Sequence, residues 1–167
     1  VELDIRKNLA FIGLKDFTLV ANASLIKSRV KFSDASQQRS RPMQGQSPYL
    51  VNTGLFYQKE DWSASAQYNV IGKRLIGVGR NLGSTGDQTV SIPDAYEMPR
   101  HLLDLNVSKT FGRFTLKAGI KDVLAQKVIF KQFNDVITQS GERKTVEEVT
   151  RSYRPGRNIS LTLTYKL

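Results

Sequence analysis

The chain has 167 residues, 40% of them hydrophobic, a mean hydropathy of -0.34, and no stretch that approaches the roughly 20 apolar residues of a membrane-spanning helix. This excludes a helical membrane protein but leaves a β-barrel open, because a barrel strand needs apolar residues only at alternate positions. The absence of cysteine excludes disulfides and thiolate metal sites, and the formal charge of +10 is spread over many positions, which argues against nucleic acid.

Those cations include Lys27, Arg29, Lys31, Arg39, Arg41, Lys73, Arg74, Arg80, Arg143, Lys144, Arg151 and Arg154, in connections and at strand ends rather than on one basic helix. The start, VELDIRKN, lacks an initiating Met, a basic leader and an apolar core, so either processing or a fragment boundary is expected there.

In chain order, the first expected strand carries Val1, Leu3, Ile5, Leu9 and Phe11 on one parity, with Lys7 as an interruption. After a short turn over Gly13–Asp16, Phe17, Leu19, Ala21, Ala23 and Leu25 form a second apolar row, and the same parity then turns basic at Lys27, Arg29 and Lys31. A strand in a soluble sandwich would more often end at Leu25, whereas a barrel strand can continue above the membrane with both faces wet. A weaker row follows at Val51, Thr53, Leu55 and Tyr57, then a turn over Gln58–Asp61 and a clean row at Trp62, Ala64, Ala66, Tyr68 and Val70. Leu103, Leu105, Val107 and Phe111 share a parity that Lys109 interrupts. Gly112-Arg113 turns the chain into Phe114, Leu116, Ala118 and Ile120, and the closing row is Ile159, Leu161, Leu163, Tyr165 and Leu167. Seven strands result. Three of the rows, Phe17 to Leu25, Trp62 to Val70 and Ile159 to Leu167, cover nine residues each, enough for a tilted strand to cross a hydrocarbon layer.

Short connections alternate with long polar ones near 34–48, 72–100 and 122–155, so all the short turns fall at one end of the sheet, as in outer-membrane barrels. Aromatic residues with the same outward parity gather at that end: Phe11, Phe17, Tyr57, Trp62, Phe111, Phe114 and Tyr165. Their ring bodies suit hydrocarbon while Trp and Tyr polar atoms reach interfacial water, the basis of an aromatic girdle. Lys109 lies two positions from Phe111 and can snorkel to the interface; Lys7 is harder to place, since a lysine at the bilayer midplane costs about 2–4 kcal/mol. On the opposite parity Asn22, Ser24, Ser65, Gln67, Asn69, Asp104, Asn106 and Lys117 are expected to face a lumen, although none is assigned as a ligand contact. Seven strands left open would expose two unsatisfied edges to lipid, so further strands are expected from elsewhere.

Little in the long connections suggests chemistry. Gly77-Val-Gly-Arg-Asn-Leu-Gly83 has the wrong glycine spacing for a dinucleotide cradle and reads as an external loop. His101, the only histidine, is expected as a solvated rim residue or a ligand contact, and one histidine builds neither a metal cluster nor a hydrolase triad. Asp87, Asp94 and Glu97, like Glu142, Glu147 and Glu148, match no calcium-loop spacing. The stretch from Val123 to Gln139, with Val128, Ile129, Phe130, Phe133, Val136 and Ile137, reads as either a short helix or an extended hairpin; Phe130 and Phe133 suggest a contact patch. No enzymatic activity, cofactor or metal is expected.

Several stretches resemble the C-terminal barrel of TonB-dependent outer-membrane receptors, particularly those of Bacteroidota. They are Gly45-Gln-Ser-Pro-Tyr-Leu-Val-Asn-Thr-Gly54, Trp62-Ser-Ala-Ser-Ala-Gln-Tyr-Asn-Val-Ile-Gly-Lys-Arg74, Pro99-Arg-His-Leu-Leu-Asp-Leu-Asn-Val107, Gly119-Ile-Lys-Asp-Val-Leu124 and Tyr153-Arg-Pro-Gly-Arg-Asn-Ile-Ser-Leu161. The resemblance implies that residues 1–167 supply the last seven strands of a 22-stranded barrel, with the plug domain and the preceding strands outside them. The terminal Leu167 departs from the aromatic ending common in barrel-assembly signals, although Tyr165 keeps an aromatic on that face. It further implies nutrient import in the bacterial outer membrane, with a ferric siderophore or another small nutrient as the favoured substrate. The implied partners are the rest of the barrel and its plug, an inner-membrane energy-transducing complex, outer-membrane lipids or lipopolysaccharide, and surface lipoproteins. Two other readings stand beside it: a structural barrel that anchors a surface complex, and a soluble β-sandwich binding module.

Overall fold

The computed structural model describes residues 1–31, 40–85, 88–137 and 141–167, and its architecture is all-β. In chain order the strands are β1 (Glu2–Leu9), β2 (Leu14–Leu25), β3 (Tyr49–Lys59), β4 (Trp62–Ile71), β5 (Arg74–Gly77), β6 (Arg80–Thr85), β7 (Gln88–Ile92), β8 (Ala95–Glu97), β9 (Arg100–Phe111), β10 (Phe114–Lys121), β11 (Val128–Ile137), β12 (Arg143–Tyr153) and β13 (Asn158–Tyr165). Seven of them form one antiparallel sheet in the order β1-β2-β3-β4-β9-β10-β13. They are the seven expected from alternation. The sheet is open, with β1 and β13 at its edges.

The register aligns every apolar row on one face. Lys7 pairs Leu19, Leu19 pairs Leu55, Leu55 pairs Ala66, Ala66 pairs Leu105, Leu105 pairs Ile120 and Ile120 pairs Ile159. One rung nearer the short turns, Phe17, Tyr57, Ala64, Val107, Ala118 and Leu161 align in the same way. A slip of one residue on any strand would move its whole row to the other face, so this agreement across six pairings reflects a register specified by pattern.

The turns differ from expectation at two places. The first hairpin turns over a 3-10 segment, Ala10–Ile12, closed by Gly13 at φ 85°, rather than over Gly13–Asp16. Asn8 drives the change: its side-chain oxygen accepts the Ala10 N–H at 2.8 Å, and its amide donates to the Lys15 carbonyl at 2.9 Å. Phe11 therefore leaves the strand row and sits in the turn. The β3–β4 turn contracts to Glu60-Asp61, with Glu60 at φ 48°. Gly112 (φ 58°) turns β9 into β10 as expected.

Two of the long connections carry order that alternation alone missed. A second antiparallel sheet has the order β12-β11-β8-β5, and β6 pairs with β7 as a separate hairpin. Val123–Gln139 thus resolves in favour of a hairpin over the described residues, with β11 its first strand. The reading of Gly77–Gly83 as a plain loop is also corrected: Gly77 ends β5 and Arg80 begins β6. Between them the Gly79 N–H donates to Asp94 Oδ1 at 2.7 Å, and a Cβ at Gly79 would collide with the Ile92 carbonyl. The cause of the miss is physical: β5 and β8 have four and three residues, too few to show a period.

The second sheet leaves most of the apolar rows uncovered. Among the described residues only Val70, Leu75 and Val128 are buried apolar side chains, whereas Leu3, Ile5, Leu55, Leu105, Val107, Leu116, Ile120, Ile159, Leu161 and Leu163 are exposed.

Candidate functional site

The face opposite the apolar rows is polar and organised in rungs. Asp4, Asn22, Asn52 and Asn69 form one rung, which ends on Leu102. The next runs through Arg6, Val20, Gly54, Gln67 and Asp104, and the one after through Thr18, Phe56, Ser65, Asn106, Gly119 and Ser160. Closer to the short turns, Ser63 and Ser108 hydroxyls hydrogen-bond at 2.7 Å, and Thr110 and Thr115 at 3.1 Å. Cross-strand polar pairs of this kind each contribute a few tenths of a kcal/mol up to about 1 kcal/mol.

All eight residues expected on the polar parity lie on this face. Asn22, Gln67, Asn69 and Asp104 come together, with Asn52 and Phe56, around a groove of about 380 Å³. Asn69 donates to the Asn52 side-chain carbonyl within that groove. Ser65 sits one rung away and accepts from Asn106 at 3.4 Å. Ser24 and Lys117 lie apart: Ser24 is buried at the long-connection end, and Lys117 shares the rung of Ser108 and Thr162.

Asn52 and Phe56 were missed because β3 alternates weakly, with Thr53 on its apolar parity and Phe56 on its polar one. The Phe56 ring covers Gly54, where a Cβ would stand 2.7 Å from the ring. A glycine beneath an aromatic ring is the signal that would have revealed it. The groove offers amide donors and acceptors, one carboxylate and one aromatic ring, a set suited to a small ligand rich in hydrogen-bonding groups.

At the long-connection end, ion pairs tie the rim together. Asp104 accepts the Asp122 N–H at 2.8 Å, and Arg100 reaches Asp122 Oδ2 at 3.2 Å, holding Asp122 buried at φ 54° where β10 ends. Arg74 donates from Nε (2.9 Å) and from one terminal nitrogen (2.7 Å) to the same Glu97 oxygen, beside a cavity of about 110 Å³ that Asn69 and Arg100 also line. Arg41 pairs with Asp94 at 3.1 Å. Asp94 and Glu97 therefore serve ion pairs, and Glu147 pairs with Lys131. Asp87 and Arg39 lie outside the described residues.

The second sheet holds the expected aromatic patch inside itself. Lys73 Nζ lies 3.8 Å from the Phe133 ring centre and 4.3 Å from that of Tyr96, and the two rings meet edge-on at 5.9 Å. Burial lowers the Lys73 pKa against the opposing pull of Glu147, and burial raises the Tyr96 hydroxyl. Phe130 stacks with Tyr153 at 6.3 Å, with Arg151 over both rings.

On the apolar face the aromatic residues gather as rows. At the short-turn end Phe17 meets Tyr57 at 5.0 Å, Phe111 meets Phe114 at 6.1 Å, and Phe114 meets Tyr165 at 5.0 Å. Both interrupting lysines turn toward this end: Lys109 Nζ lies 4.7 Å from the Trp62 ring and Lys7 Nζ 5.8 Å from Phe11. Lys7 stays on the rung of Leu19, Leu55 and Ala66, and the turn brings Phe11 within reach of its Nζ. A second group, unremarked in the sequence, sits toward the other end. Tyr49 covers Gly72, and Tyr68 stacks on His101 at 5.8 Å while its hydroxyl bonds His101 Nδ1. By register His101 shares the face of Val70, away from the polar groove.

No protein-family model, curated protein or solved structure matches the chain.

Proposed function

We propose that these residues form part of the wall of a TonB-dependent outer-membrane receptor that imports a small nutrient. One observation carries the reading: a seven-stranded antiparallel sheet has all its apolar rows on one uncovered face, between two aromatic groups. Phe17 to Leu25 rises about 27 Å along the strand, or about 20 Å at a barrel tilt near 40°, comparable to the roughly 25 Å apolar band of outer-membrane barrels.

A soluble sandwich would cover such rows with its second sheet, and here, Val70 apart, they stand exposed or half-buried. In lipid the free edges of β1 and β13 require further strands, so the proposal includes a larger closed barrel, of 22 strands by resemblance, and a plug. The apolar rows then face hydrocarbon, the polar rungs face the lumen, and the second sheet stands on the external side. Nutrient binds through amide and carboxylate groups such as Asn22, Asn52, Asn69 and Asp104, and an inner-membrane complex drives its release.

Uptake tests this reading. Cells carrying the protein should accumulate a labelled ferric chelate or another small nutrient only while the inner membrane is energised. Retained outer-membrane assembly with no energy-dependent uptake across a nutrient panel would favour the structural barrel instead.

A further inference from the structure

The exposure pattern of β2 does not stop where the strand ends. From Leu25 to Lys31 it alternates without a break: Leu25, Lys27, Arg29 and Lys31 are exposed, while Ile26, Ser28 and Val30 are half-buried. The backbone stays tied to its neighbour, with the Ile26 N–H on the Pro48 carbonyl at 2.9 Å and Val30 bridged to Arg41. Lys27, Arg29 and Lys31 therefore continue the Phe17–Leu25 row beyond its apolar end, about 7 Å apart along an extended chain.

Their electrostatic surroundings differ from those of the cations that face protein. Arg41, Arg74 and Arg100 each meet a carboxylate, of Asp94, Glu97 and Asp122. Among the described residues Lys27, Arg29 and Lys31 meet none. Three uncompensated cations in line repel one another, a cost relieved by an anion lying along the row. Directly above a lipid-facing apolar row, that anion is the phosphate of a lipid head group, and at the long-connection end the head groups are those of the outer leaflet.

We propose that Lys27, Arg29 and Lys31 form a docking ladder for the phosphates of lipid A. The inference rests on the membrane reading above, which makes the Phe17–Leu25 face lipid-exposed. Surface cations each contribute roughly fivefold to association with an anionic lipid surface, so neutralising three weakens it on the order of 100-fold at low salt, with less effect as salt screens the row.

The test compares the assembled protein with its K27Q/R29Q/K31Q variant in neutral detergent, each titrated with phosphorylated and with dephosphorylated lipid A. The parent should prefer the phosphorylated form by on the order of 100-fold, and the variant should lose that preference while keeping its strand content. K27R/K31R should retain it, as should K127Q/K144Q/R154Q, which removes the same charge elsewhere. Indifference of the parent to the phosphates would overturn the ladder. An equal loss in the K127Q/K144Q/R154Q control would also overturn it, assigning the effect to net charge. A parent that is monodisperse and folded without detergent would instead overturn the membrane reading on which the ladder stands.

Discussion

Neighbouring residues on β4 give the most discriminating perturbation, because Ala66 and Gln67 are adjacent in the chain and occupy opposite faces. Ala66 lies between Leu55 and Leu105 on the apolar face, four residues from Trp62 and four from Val70. On the proposed membrane reading, at about 3.4 Å per residue and a tilt near 40°, it stands about 10 Å in depth from the Trp62 level, near the centre of a 25 Å apolar band. An arginine there cannot reach either interface with its full charge. Ala66→Arg should therefore cost about 2–4 kcal/mol, a roughly 30- to 900-fold fall in the folded-to-unfolded ratio. Gln67→Arg, one residue on, points into the polar groove beside Asp104 and should cost less than about 1 kcal/mol. Denaturant unfolding of the assembled protein in zwitterionic vesicles measures both. Equal costs, or a neutral Ala66→Arg, would refute the assignment of faces.

Lys109 and Trp62 should be coupled: a double-mutant cycle with Lys109→Met and Trp62→Leu is expected to give about 0.5–2 kcal/mol, the range of a cation over an aromatic ring, and additive costs would contradict the contact. Gly54→Ala should destabilise by about 1–3 kcal/mol because the new methyl meets the Phe56 ring, and Phe56→Leu in the same chain should recover part of that loss in the same unfolding assay. Burial raises the Tyr96 pKa, so its neutral form is favoured in the folded protein; the associated stability is present below pH 10 and lost as pH rises through the raised value. Absorbance titration near 295 nm should show a late tyrosine step that disappears in Tyr96→Phe. Lys73 has the opposite sign: its lowered pKa makes the charged form a net cost at neutral pH, so its stability contribution is present above pH 10.5 and lost as pH falls through the lowered value. The Lys73→Gln variant should therefore lack a rise in stability as pH approaches 10.5.

The seven long strands were legible because apolar and polar side chains alternate between their two faces and thus write a period of two into the sequence. Ile159 to Leu167 shows it without a miss, and the structure pairs that strand residue for residue with β10. The first turn was misplaced because alternation cannot register a side-chain bond such as Asn8 to Ala10, which bends the chain out of the strand earlier. The strands of the second sheet were hidden for another reason. β5 and β8 are too short to show a period, and the cation-aromatic and ion-pair contacts that hold this sheet leave no periodic trace. The sequence placed Gln67, Asn69 and Asp104 on one parity, and the register sets them on one face where the strands alternate cleanly. That placement was incomplete at Asn52 and Phe56, where β3 breaks the rule.

On the proposed reading, alternate residues of these strands face lipid and water. The chain contains no cysteine, so single cysteines can be placed and spin-labelled one at a time from Trp62 to Val70 in the assembled protein in bilayers. Accessibility to dissolved oxygen should peak at positions 62, 64, 66, 68 and 70, and accessibility to a water-soluble relaxation agent at 63, 65, 67 and 69. Two profiles in phase, or no period of two in either, would contradict the account.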